Sequence, residues 1–139
     1  MRLRTLGGLS LENGAPVPLQ RMRLALLAVV ASAGSKGISR DRLVALLWPE
    51  SDDARARGAL KQAIYALRRD LRQPDLLVGT DPIQLNPSVI GSDVTDFEDA
   101  LRQGDLTRAV ELYQGPFLAG VHVSNGEFER WRDGEERRL

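Results

Sequence analysis

The chain has 139 residues, 42% of them hydrophobic, with 19 Lys and Arg against 19 Asp and Glu, enough for one modest core or a small domain plus a fragment of a second. Cysteine is absent and His122 is the single histidine, which excludes a disulfide scaffold, a thiolate nucleophile and a multi-histidine metal centre, and makes His122 a surface or packing residue. The longest apolar run, LALLAVVA from Leu24 to Ala31, falls well short of the ~20 residues that cross a bilayer, so a soluble cytoplasmic protein with no cofactor and no membrane partner is expected.

The zero net charge hides an asymmetry. Residues 1–75 carry 13 basic and 7 acidic side chains, a net of +6, whereas residues 76–139 carry 6 and 12, a net of −6. A basic first half points to a polyanionic partner for that half.

In chain order, RLRTL, LSLE and PVPL read as short strands, and Asn13-Gly14 supplies the positive φ values of a tight hairpin turn, so a small antiparallel sheet is predicted at the N-terminus. Helical periodicity begins at about Leu19, with Leu24, Leu27, Ala28 and Ala31 on one stripe and Gly34 and Gly37 as terminators. Ser39 is the predicted N-cap of a second helix, with Asp41 well placed against its dipole, Leu43, Leu46 and Leu47 inward, and Trp48-Pro49 as its stop.

After the acidic connector Glu50-Ser51-Asp52-Asp53 comes RARGALKQAIYALRRDLR, residues 55–72, capped by Ser51 or Asp52. At about 100° per residue, Leu60, Ala63, Ile64, Leu67 and Leu71 fall on one inward stripe. Arg55, Gly58, Gln62, Tyr65 and Arg69 cluster opposite, flanked by Lys61, Arg68 and Arg72. Taken alone, such a face is as readily a solvated surface as a binding surface. LLVG at 76–79 and IQL at 83–85, joined around Thr80-Asp81-Pro82, read as a hairpin. Strands, three helices and a hairpin is the order of a winged helix-turn-helix, whose third helix enters the major groove.

Beyond Asp96, Phe97, Ala100 and Leu101 form one short helical stripe, and Leu106, Ala109, Val110 and Tyr113 a second, with Gly104 between. The loop QGPFLAG leads to a polar helix from about Glu127 carrying Phe128 and Trp131. Three short helices bury little alone, so this part is expected to lean on the first domain or to begin a larger helical array, truncated in mid-helix at Leu139. The expected fold is therefore mainly α with small β-sheets (α+β): a winged helix-turn-helix domain at 1–92, then a short TPR-like segment at 93–139.

Several stretches in this order, RLRTLGGLSLENGAPVPL, ISRDRLVALLWPE, RARGALKQAIYALRRDL, LLVGTDPIQLNP, FEDALRQGDLTRAVELYQGPFLAG and FERWRDGEERRL, are similar to the antibiotic regulatory protein family, the SARP-like activators. That family joins an OmpR/PhoB-type winged helix to a bacterial transcriptional activation domain of TPR-like helices. The resemblance covers essentially the whole chain. It implies a cytoplasmic transcription regulator that binds direct repeats of double-stranded DNA near promoters, contacts RNA polymerase and pairs as a homodimer on DNA. Arg57, Lys61, Gln62, Tyr65, Arg68 and Arg69 fall at the family's DNA-facing positions, and Arg55 and Arg72 extend the same helix face. Arginine and lysine bind phosphates or the guanine O6 and N7, Gln62 pairs with adenine, and Tyr65 reaches a phosphate or a thymine methyl. Arg21, Arg23 and Arg40 are candidate contacts to flanking phosphates. The chain departs from the family at the wing, where Gly79-Thr80-Asp81-Pro82 has no basic residue and Asp81 would repel phosphate, and in the shortness of its helical part.

An enzyme is not expected. Asp96, Glu98, Asp99, Glu135 and Glu136 sit on polar helical faces with no histidine or lysine partner at readable spacing, and Gly34-Ser35-Lys36-Gly37 lacks the spacing of a phosphate loop. The rival reading is a protein-interaction module, a degenerate winged helix plus TPR-like helices without specific DNA binding.

Overall fold

The computed structural model describes residues 1–121, 123 and 125–139, so the reading of His122 lies outside the described residues. In the first hairpin, alternation decides which side is buried. β1 (Arg2–Arg4) and β2 (Ser10–Glu12) pair antiparallel with Leu3 opposite Leu11, both buried, while Arg4 reaches Glu12 at 3.2 Å on the other face. Gly14, at φ +77°, turns the chain into β3 (Pro16–Val17).

α1 (Arg21–Ala33) is more deeply set than a one-sided stripe requires. Every residue from Ala25 to Ala31 is buried, because the run is apolar all round and the helix is the centre of the core. It ends at Gly34 (φ +63°) in a single 3-10 turn, Gly34–Lys36. Ser39 caps α2 (Arg40–Leu47) by accepting from the Arg42 N–H at 3.1 Å, and Leu43, Leu46 and Leu47 face inward. Asp52 caps α3 (Asp53–Asp70), accepting from the Arg55 N–H at 2.9 Å. This helix buries Leu60, Ile64 and Leu67 and stops at Asp70, two residues before its expected end, because Arg72 turns left-handed (φ +54°) and the Gln73 N–H closes on the Arg68 carbonyl at 3.0 Å.

β4 (Leu77–Val78) and β5 (Gln84–Leu85) form the hairpin. Its second arm is tied to the chain entering α2: Ile38 and Ile83 exchange N–H···O bonds of 2.8 Å in both directions. An unanticipated strand, β6 (Gly91–Ser92), pairs parallel with β1, giving the order β3-β2-β1-β6. Two residues have no periodicity to read; only the partner strand makes them one.

The next helix, α4 (Asp93–Arg102), begins three residues earlier than expected, because Ser92 caps it by accepting from the Thr95 N–H at 3.2 Å. α5 (Leu106–Leu112) folds back on α4 through Gly104, and Phe97 meets Tyr113 with ring centres 5.6 Å apart. The expected α5 stripe is corrected here: Ala109 and Leu112 are buried, whereas Leu106 and Val110 are 66% and 75% exposed. A two-turn helix offers α4 only one narrow line of side chains, and the i, i+3 pair takes it.

α6 (Gly126–Arg138) packs against α2. Asn125 caps it and also donates its side-chain amide to the Leu46 carbonyl; Phe128 is fully buried beside Trp131, which meets Phe117 edge-on at 5.6 Å. Asp93, only 4% exposed, accepts from the Thr5 N–H at 2.8 Å, the Thr5 hydroxyl at 2.8 Å and the Leu6 N–H at 2.9 Å. The Leu118 N–H donates to the Thr5 carbonyl at 2.7 Å. One apolar cluster runs from Leu3 through α1 to Phe117 and Phe128, so both halves of the sequence share a core.

Candidate nucleic-acid interface

α3 has 18 residues and is therefore about 27 Å long. Its apolar stripe holds it against α2 and the common core, which leaves the other side to solvent. Arg55, Arg57, Gly58, Lys61, Gln62, Tyr65 and Arg69 are all exposed there, and Arg72 is exposed just beyond the helix end. Tyr65, 61% exposed, is the only large aromatic or aliphatic side chain standing out from the helices of the first 75 residues among those described. The Arg69 guanidinium lies over its ring, 5.6 Å from the centroid, which keeps both side chains close to the helix surface. Gly58 sits mid-helix with nothing within 4 Å of where a Cβ would stand, so no packing within the protein demands glycine there.

Arg68 lies apart from this group. It is half-buried, its Nη2 donates to the Leu77 carbonyl at 3.2 Å, and its Nε is buried without a hydrogen-bond partner. Position 68 is one helical turn beyond the buried Ile64, so its side chain rises beside the core stripe and meets β4 instead of pointing outward. It fastens α3 to the hairpin.

The candidate phosphate contacts fall at two ends of the face. Arg21 and Arg23 begin α1; Arg21 is exposed on the side of Ala119–Val121, and Arg23 meets Asp70, the last residue of α3, at 2.8 Å. Arg40 begins α2 and reaches the β4–β5 hairpin. Its Nε donates to the Thr80 carbonyl at 2.7 Å, and its backbone N–H donates to the Asp81 carboxylate at 3.2 Å. Asp81 is therefore engaged at the positive end of a helix, and the hairpin, bare of basic residues in sequence at its turn, has a guanidinium at its base. Residues 40 and 80 carry no local signal of that meeting.

Acidic partners unforeseen from the sequence line the same surface. Arg57 pairs with Asp41 at 3.3 Å, Arg55 with Asp52 at 3.6 Å, and Arg69 with Asp70 at 2.9 Å. The hydrogen bond from Arg69 lowers the Asp70 carboxyl below its ordinary range, and the same bond raises the Arg69 guanidinium. The adjacency of Arg69 and Asp70 and the i, i+3 spacing of Asp52 and Arg55 are local signals of their pairs, whereas Arg57 and Asp41, 16 residues apart, have none.

No protein-family model matches the chain, and no curated protein matches it. Among solved structures it is similar to Mycobacterium tuberculosis EmbR in complex with a low-affinity phosphopeptide, with a TM-score of 0.68 and 20% sequence identity over 96% of this chain. The match spans 41% of the EmbR chain. At that identity the likeness establishes a shared α+β fold.

Proposed function

We propose that this chain is a sequence-specific double-stranded DNA-binding regulator of transcription, with α3 lying in the major groove. The observation that carries the reading is the outer face of α3: arginines, a lysine, a glutamine and an exposed tyrosine at helical spacing, on a cylinder of the width a major groove accepts. Arg57, Lys61, Gln62 and Tyr65 take the base edges and adjacent phosphates. Arg55, Arg69 and Arg72 follow the backbone, and Arg21, Arg23 and Arg40 hold flanking phosphates. In this reading Arg68 acts by positioning the wing. The SARP-like motifs and the fold shared with EmbR support the same assignment.

Residues 1–92 form the DNA-binding unit, and residues 93–139 open a helical activation segment that stays off the DNA because its 6 arginines stand against 11 acidic side chains, a net charge of −5. Leu101, Leu106 and Val110, exposed on α4 and α5, suit that segment to protein contacts, with RNA polymerase and a second protomer on a direct repeat as its partners in the cytoplasm.

The test is selection from a random duplex library at about 0.15 M salt, followed by anisotropy titration of the enriched sequence. A motif repeated at about 10–11 base pairs is expected. Arg69→Ala should weaken binding about tenfold and make the log–log salt dependence shallower by about one unit. No enrichment, together with weak sequence-blind binding, would instead make the face a solvated or protein-binding surface.

A further inference from the structure

Asp70 is the final residue of α3, and its two carboxylate oxygens are divided between two helices: Oδ1 accepts from Arg69 Nε at 2.9 Å and Oδ2 from Arg23 Nη1 at 2.8 Å. A helix C-terminus disfavours negative charge, and the carboxylate caps nothing there. The other acids on this face have local duties, since Asp52 is the N-cap of α3 and Asp41 sits in the first turn of α2. Asp70 has only its two arginines. They close on it as two guanidinium groups close on the oxygens of a phosphate.

Resting on the DNA-binding reading, we infer that Asp70 is a specificity-determining residue, an internal stand-in for a DNA phosphate that occupies Arg23 and Arg69 until the rest of α3 is seated on its sequence. Arg69 and Asp70 are exposed and Arg23 is half-buried at the same surface; surface ion pairs contribute little in water, so a well-fitted duplex exchanges the carboxylate for its own phosphates. An arbitrary duplex, engaging α3 poorly, is denied two contacts. Sequence-blind binding is thereby held down more than specific binding.

The experiment compares wild type with Asp70→Asn by anisotropy on the selected duplex and on a scrambled duplex of equal length, at several salt concentrations. Asp75→Asn, a change at an exposed acid on the same side of the sequence, controls for the altered net charge. Asp70→Asn should bind the scrambled duplex about fivefold to tenfold tighter, with the salt slope steeper by about one to two units, at about 0.9 per phosphate newly engaged. The selected duplex should gain less, so the ratio between the two falls.

An Asp70→Asn protein that matches Asp75→Asn overturns the inference. So does weaker binding to both duplexes, which would make the carboxylate a support for the arginines, and so does a lowered melting temperature with an unchanged slope, the mark of a mere α1–α3 clamp. In an Arg23→Ala/Arg69→Ala background the gain from Asp70→Asn should shrink to that of the control; a gain that persists also overturns it. Arg69→Ala separates the two readings. If it weakens binding while Asp70→Asn changes nothing, only this inference fails; if Arg69→Ala has no effect, the DNA face itself is wrong.

Discussion

Removing the Asp93 carboxylate should cost more stability than any surface change in this chain. Three buried donors converge on it, from the Thr5 and Leu6 backbone and the Thr5 hydroxyl, at 2.8–2.9 Å, and Thr5 itself is fully buried. In Asp93→Ala the two N–H groups cannot turn elsewhere, since the Leu6–Phe117 bridge and the Leu118 N–H bond to the Thr5 carbonyl hold the backbone. Each donor left unsatisfied costs about 1–3 kcal/mol. Rotation of the hydroxyl and a water in the vacated space recover part of this, which leaves a loss of about 3–5 kcal/mol, a large share of the roughly 5–15 kcal/mol that stabilises a domain of this kind.

Urea denaturation followed by circular dichroism is the assay. With a slope of about 2 kcal/mol per molar, the midpoint should fall by about 1.5–2.5 M with the slope unchanged. Thr5→Val removes one of the donors, so its cost in the Asp93→Ala background should be smaller than in wild type. A midpoint shift below about 0.5 M, or strict additivity of the two substitutions, would refute the claim that this carboxylate binds α4 to the first sheet.

Two glycines should respond in opposite directions. Gly58→Ala, in a helix interior with open space around the added Cβ, should stabilise by about 0.5–1 kcal/mol and raise Tm by roughly 2–4 °C. Gly37→Ala meets both a φ of +72° and the Ile83 carbonyl oxygen 2.8 Å from the new Cβ, so calorimetry should show a loss of at least about 1–2 kcal/mol; equal melting temperatures for the two variants would contradict both assignments. The Tyr113 phenol donates to Glu136 at 2.5 Å, and that bond holds its pKa above the ordinary 10.0. A raised pKa in the folded state means that its contribution is intact below about pH 10, where the unfolded chain begins to ionise, and is lost as pH rises through the folded value. Urea midpoints between about pH 9 and 11 should therefore fall more steeply for wild type than for Tyr113→Phe, and parallel curves would rule the bond out.

The sequence alone determined the elements whose causes are local. Apolar spacing along Leu60, Ile64 and Leu67 specifies which side of α3 is buried, and so leaves Arg55, Gln62, Tyr65 and Arg69 on the other. Ser39 and Asp52 mark helix starts because a short side-chain oxygen can satisfy a free N–H within three residues. Asn13-Gly14 marks a turn because glycine tolerates positive φ. Only the tertiary structure decided what depends on groups distant in sequence. β6 exists as a strand because β1 lies beside it, and Asp93 at the start of α4 is buried because the Thr5 and Leu6 N–H groups donate to its carboxylate. Leu106 and Val110 stay exposed because α4 covers only one line of α5. Arg68 turns to β4, Arg40 meets the turn between β4 and β5, and Asp70 holds Arg23 and Arg69 together. Periodicity and capping are written in neighbours three or four residues apart. A hydrogen bond between residues 40 or 88 apart leaves no such trace, since nothing but the folded chain brings its two ends within 3 Å.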